Sequence, residues 1–371
     1  MSKTNVVDAD GHVLEPIDLW DKYFEDRELQ PLAPRFFIDD KGVQQMMFDG
    51  QVVPRGVIGL AGRNAGKPLT PETSAQRWED QQPGGFDPHK RIGDLDLDGI
   101  DVAVLYPTLG LRICGVRNTR LAAALARAYN NWLADFCKAY PKRFAGVGAV
   151  PLQDPPLAIR EMHHAVKTLG FNAVFVRPNP LMGRNLDHPD YYPFWEAAQD
   201  LGCPVTFHEG GFMKTLPTVG ADRFDNLVYR HMLGHAMEQQ IAAMTMILGG
   251  VLDRFPRLRV AFLEAGGGWL PYWLERMEHH HERLPWMIPG CRLKPSEYFR
   301  RQCMVSVDPD EKTIPSIVEL VGDDCIMWAS DYPHFDCTFP GAVAELREAK
   351  VPAVSMNKIL GENAVRFYGL S

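Results

Sequence analysis

The segment VVDADGHVLEP, residues 6–16, runs a β-branched pair straight into Asp8, Asp10 and His12. Burying acids and an imidazole in a core is costly unless they are paired or bind a metal. Two further stretches carry the same signature. CPVTFHEGG (203–211) delivers His208 behind Val205-Thr206-Phe207, and CIMWASDYPH (325–334) delivers Asp331 behind Met327-Trp328-Ala329-Ser330. Residues i and i+2 of a strand face the same side, so Asp10 and His12 are expected to point together into one opening. Asp10, His12, His208 and Asp331 make a set of two carboxylates and two imidazoles. That set suits Zn²⁺, or alternatively Mn²⁺, with a position left open for water or substrate. Each residue has a plainer reading, a hydrogen-bonded histidine or an Asp331 that caps a helix. Four such residues at the ends of three strands favour a shared site.

Positioning them requires a particular frame. From about residue 100 onward, apolar runs alternate with stretches of helical spacing. DVAVLYP (101–107), RFAGVGAVP (143–151), NAVFVRP (172–178), CPVTFHEGG, LRVAFLEAGGG (258–268), QCMVSVD (302–308) and CIMWASDYPH read as strands. Helices are expected over 120–141, 156–170, about 190–201, 224–249, 269–284 and 311–321, with more in the tail. With the opening segment these make eight strands, most followed by a helix. That pattern implies an α/β protein, a (β/α)₈ TIM barrel whose chemistry sits at the carboxyl ends of the strands. Residues 16–92 lack clear periodicity and read as a long insertion after strand one, a partly helical lid over the barrel mouth. The whole chain, 1–371, is expected to form one domain.

The 371 residues carry 39 Lys+Arg against 47 Asp+Glu, a formal charge of −8, with no basic block. Nucleic acid and anionic membrane are therefore not expected partners. No apolar run reaches membrane-spanning length, and the first residues lack the apolar core of a secretory leader. The seven cysteines form no C-x-x-C pair and suit reduced thiols in a cytoplasm.

DADGHVLEP, RIGDLDLDGIDVAVLYPT (91–108), RFAGVGAVPLQDP, LGFNAVFVRPN, CPVTFHEGG, GGVLDRFPRLRVAFLEAGGGWLPYWLERM (249–277) and WASDYPHFD together resemble the amidohydrolase superfamily, in its amidohydrolase 2 branch related to aminocarboxymuconate-semialdehyde decarboxylase. The resemblance implies a mononuclear metal site held by Asp10, His12, His208 and Asp331. Members commonly have His-x-His or Glu-x-His on strand one. The Asp-x-His here looks more like the Glu-x-His decarboxylases of aromatic acids. On strand six, relatives often carry a histidine where this chain has Ala265, so Glu264 is expected to take over its proton-transfer role, with Asp331 and His235 as the other catalytic groups.

Arg177, at the end of strand four, is a candidate for pairing with a substrate carboxylate. Arg276 corresponds to an arginine that reaches a neighbouring subunit's site, which implies a homodimer. His235 lies one turn from His231 and is expected to face substrate. Trp20, Tyr106, Phe212 and Trp328 are candidates for an apolar pocket wall. The expected activity is a metal-dependent carboxy-lyase acting non-oxidatively on an aromatic or unsaturated carboxylic acid. The alternative is a metal-dependent hydrolase of a C–N, lactone or C–C bond using activated water. A barrel that keeps the fold without a metal is a third, non-enzymatic reading.

Overall fold

The computed structural model describes residues 5–40, 42–53, 65–68, 70, 77–210 and 216–370. Eight parallel strands form the centre: β1 (Val7–His12), β5 (Val102–Tyr106), β6 (Phe144–Ala149), β7 (Ala173–Val176), β8 (Val205–Phe207), β9 (Val260–Phe262), β10 (Cys303–Val307) and β11 (Ile326–Trp328), each paired with the next. Beyond β11 the ring is drawn shut by backbone next to the candidate ligands. The Asp331 N–H donates to the Asp10 carbonyl (3.2 Å), and the His12 N–H donates to the Tyr332 carbonyl (2.7 Å). The expected (β/α)₈ barrel is therefore present, nearly closed.

Local sequence explains the helices between the strands. Asn118, Asp154 and Asn226 each accept a hydrogen bond from the first turn of the helices Thr119–Lys138, Pro155–His163 and Leu227–Leu248. Such caps contribute about 1 kcal/mol apiece. The helix Leu270–Arg283 buries Leu270, Leu274 and Met277 at helical spacing and leaves its charges outward. At the C-terminus, Asn363–Tyr368 packs under the barrel, where the Tyr368 hydroxyl donates to the Ala9 carbonyl (3.0 Å).

The insertion is more ordered than its composition suggests. Besides the helix Leu19–Tyr23, it holds an antiparallel sheet of β2 (Arg35–Ile38), β3 (Gln44–Phe48) and β4 (Gln51–Val53). Asp49 and Gly50, at φ 50° and 69°, make the tight turn between β3 and β4. An Asp-Gly pair is the sequence signal for such a hairpin. The neighbouring Gln and Met residues hid the alternation.

Candidate active site

β1 is not a regular strand. Its register with β5 slips between Asp8 and Gly11, so the two acids point to different surroundings. Asp8 turns into a closed network, accepting from the Ser330 backbone N–H (2.9 Å) and the Ser330 hydroxyl (2.6 Å). Arg91 lies beside it. A Cβ at Gly11 would fall 2.8 Å from Asp8 Oδ2 and 2.9 Å from Arg91 Nη2, so only glycine lets this network close. Asp10 turns the other way. Its Oδ1 lies 3.5 Å from His12 Nε2 and its Oδ2 lies 3.3 Å from His208 Nε2.

Both imidazoles are oriented by backbone carbonyls, as metal-ligating histidines usually are. His12 Nδ1–H donates to the Pro107 carbonyl (2.8 Å), and His208 Nδ1–H donates to the Glu209 carbonyl (2.5 Å). Each Nε2 is thereby left as a lone pair facing inward. His12 Nε2, His208 Nε2 and Asp10 Oδ1 are all buried without a hydrogen-bond partner. The ligand atoms of Asp10, His12 and His208 lie within 4.8 Å of one another. Asp331 joins them, with Oδ1 3.2 Å from His12 Nε2. Inward-facing acceptors at such spacing repel one another unless a proton or a metal cation lies among them. Burial alone would lower the His208 imidazole, but Asp10 and Glu264 raise it to about 9, a measure of how strongly this point attracts positive charge. The donor set fits one divalent cation.

Asp331 and Glu264 both have left-handed backbone, at φ 57° and 53°. Such a conformation costs a non-glycine residue roughly 1–2 kcal/mol and is held here by the surrounding network. It turns each carboxylate back over the barrel mouth. His334, which sequence reasoning missed, braces Asp331. Its Nδ1 lies 2.7 Å from Asp331 Oδ1, its Nε2 lies 3.0 Å from the Thr108 hydroxyl, and its ring packs 4.1 Å from that of His12. Burial would raise the Asp331 carboxyl, but His334 and His12 hold it well below the usual carboxylate range. The only sequence signal for His334 was its place three residues after Asp331.

Glu264 links this cluster to a second one. Its Oε2 lies 3.3 Å from His208 Nδ1 and its Oε1 lies 3.3 Å from His235 Nε2. His235 Nδ1 is taken by the His231 carbonyl (2.9 Å). Burial works against a charged His235, yet Glu264 raises it to about 10; reciprocally, His235 and His208 overcome burial and lower Glu264 to about 2. The structure therefore brings Glu264 and His235 together as an ion pair beside the ligand cluster.

Two chambers meet at this pair. One is acidic, bounded by Asp10, Asp308, Asp310, Asp331 and Glu264. The other has apolar walls of Leu111, Ala221, Leu227 and Phe335, with Arg112 among them. His231, His235, Glu264 and Asp336 border both.

Other expected site residues lie elsewhere. The Arg177 guanidinium is fully buried and committed to the Glu209 carboxylate, Asn179 Oδ1 (3.0 Å) and the Gly210 carbonyl (2.5 Å). It borders neither chamber, so its arrangement corrects the expectation of a substrate clamp: its charge is already satisfied. Arg276 is exposed on the helix Leu270–Arg283 and borders a separate apolar groove with Trp273, Met277 and Met287. Trp20, Tyr106 and Trp328 are core rather than chamber wall. Tyr106 packs beneath His208, ring to ring at 5.3 Å, and the Trp328 indole donates to the Leu360 carbonyl (3.0 Å). Phe212 lies outside the described residues. None of the described residues of 16–92 borders either chamber.

Residues 7–370 match the family model described as "Amidohydrolase". The chain is 30% identical over 287 residues to 2-amino-3-carboxymuconate-6-semialdehyde decarboxylase of Dictyostelium discoideum, covering 77% of each chain. Among solved structures it resembles an amidohydrolase from Mycobacterium avium subsp. paratuberculosis, with a TM-score of 0.80 at 22% identity over all of both chains. It also resembles the dihydroxybenzoic acid decarboxylase of Polaromonas sp. JS666, solved with manganese and 2-nitroresorcinol. That match has a TM-score of 0.71 at 20% identity and covers 99% of this chain and 98% of the other. At these identities the two structural likenesses carry the fold.

Proposed function

The chain belongs to the amidohydrolase family, and from that premise we propose that it is a metal-dependent carboxy-lyase, removing CO₂ non-oxidatively from an aromatic or unsaturated carboxylic acid. Its main support is the convergence of the unpartnered atoms of Asp10, His12 and His208, with Asp331 beside them, next to a chamber walled by apolar side chains. Asp10, His12, His208 and Asp331 are the metal ligands in this reading. Two carboxylates and two imidazoles accept either Zn²⁺ or Mn²⁺, and the manganese in the Polaromonas structure favours Mn²⁺. A divalent cation there supplies Lewis-acid stabilisation of charge on a substrate oxygen.

The chain's own residues do the rest. The apolar wall excludes water from the substrate. His235, held charged by Glu264, is the proton donor. The C–C bond to the departing carboxylate breaks, its electron pair stays on carbon, and the His235 Nε2 proton forms the replacing C–H bond. Asp331, braced by His334, stays ionised and fixed in place. No solvent oxygen enters the product.

The seven free cysteines suit a reducing cytoplasm, and among the described residues no helix is long and apolar enough to cross a membrane. The groove beside Arg276 is the surface we assign to a homodimer. Residues 16–92 are assigned as a lid within the single domain. In support, the Gly66 N–H donates to the His334 carbonyl (3.4 Å), which ties the insertion to the loop carrying Asp331.

Turnover of a panel of hydroxybenzoates and unsaturated diacids in H₂¹⁸O and D₂O tests the assignment. CO₂ release, with deuterium at the vacated carbon and no ¹⁸O in the organic product, is the expected result. Solvent ¹⁸O in the organic product would establish the hydrolase instead.

A further inference from the structure

Arg112 is 6% exposed, borders the apolar chamber, and makes no side-chain hydrogen bond or ion pair with any described residue. A buried guanidinium is rarely left in this state, because its desolvation is repaid only by a counter-charge. The nearby acid cannot serve. Glu209 is bound to Arg177, so two buried guanidinium groups stand against one carboxylate. Glu238, the next buried acid, takes the Val219 N–H (2.6 Å), and its charge acts on Arg177 and Glu209. Arg230, the other arginine on the chamber wall, is already engaged. Burial and repulsion from Arg177 lower Arg112 only to about 10, so it stays charged near neutrality.

The backbone under Arg112 is fixed in advance. It lies in the 3₁₀ turn Gly110–Gly115, whose entry is pinned by Glu15. The Leu109 and Gly110 N–H groups donate to that carboxylate at 2.9 and 2.6 Å. A side chain at Gly110 would meet Glu15 Oε1 at 2.9 Å, so the turn can close in this form only on glycine. An arginine held on a rigid turn, facing an apolar chamber without a counter-charge, has the design of an anion receptor.

We propose that Arg112 binds a second anionic group of the substrate, at the opposite end from the carboxylate that is lost. The preferred substrates are then dianions, such as unsaturated or aromatic dicarboxylates, rather than simple monocarboxylates. Arg112 borders the apolar chamber but not the acidic one, so the two ends of the substrate are read by different groups. This inference rests on the carboxy-lyase reading for which end reacts, but its test reads binding alone.

Benzoate and benzene-1,3-dicarboxylate are titrated into the metal-loaded wild type and the variants Arg112→Met and Arg112→Lys, with affinity read by calorimetry. The wild type is expected to prefer the dianion on the order of ten- to a hundredfold, the range of a charge-assisted contact. Arg112→Met should lose that preference while still binding benzoate, and Arg112→Lys should keep part of it. Thermal unfolding without ligand supplies a second readout. Arg112→Met should melt at or above the wild-type temperature, because it removes an uncompensated buried charge. A wild type without preference for the dianion, or an Arg112→Met variant that keeps it, overturns the proposal. Failure of the carboxy-lyase reading would show instead as absent turnover with this binding pattern intact.

Discussion

Asp8 and Asp10 sit two residues apart on one strand, both buried, and have opposite circumstances. Asp8 is enclosed by Ser330 and Arg91. Asp10 faces two imidazole lone pairs and keeps an oxygen without a partner. The same contrast separates Arg177, committed to Glu209, from Arg112, which is committed to nothing among the described residues. The molecule thus holds two kinds of buried polar group. In these two pairs the engaged member holds the barrel together, and the other faces the site. Burial and residue type are alike in each pair; only the partner count differs.

The contrast can be broken by substitution. The largest effect is expected at His208. His208→Ala removes a proposed ligand while leaving the Asp8 network whole. Turnover should fall roughly a thousandfold or more, the several kcal/mol that a bound metal contributes, with the metal-free protein still folded. Asp8→Ala should do the reverse. Removing one partner of a buried charged network is expected to cost about 3 kcal/mol of stability, measured by denaturant unfolding. The folded fraction should still take up metal. If Asp10→Asn destabilised the metal-free protein as much as Asp8→Ala, the distinction between the two acids would fail. The smallest of the three effects is expected at Glu264. Glu264→Gln leaves His235 without its counter-charge and should lower kcat about a hundredfold with KM little altered. A pure loss of binding, with kcat intact, would remove the pair from proton transfer.

The barrel was legible because strand and helix periods differ, and because three strands end in polar residues that a core does not tolerate. The four ligand candidates were legible for the same reason, and the structure does bring them together. What stayed hidden depended on partners that no local pattern records. Arg177 looked available because it ends a strand, yet its counter-charge Glu209 follows a different strand. Arg112 looked unremarkable within LGLRICG, because nothing in that stretch reveals that it goes unpaired. His334 carries no local signal of its own, because its role is to hold Asp331. The hairpin of the insertion was missed although Asp49-Gly50 marked its turn.

Metal content tests the central claim most directly. Wild-type protein, dialysed against Mn²⁺ and then against metal-free buffer, should retain about one divalent ion per chain by inductively coupled plasma mass spectrometry. Asp10→Asn and His208→Ala should retain little, and Asp8→Asn should match the wild type. A wild type that holds no ion, or ligand variants that hold as much as the wild type, would contradict the assignment of Asp10, His12, His208 and Asp331 to a metal centre.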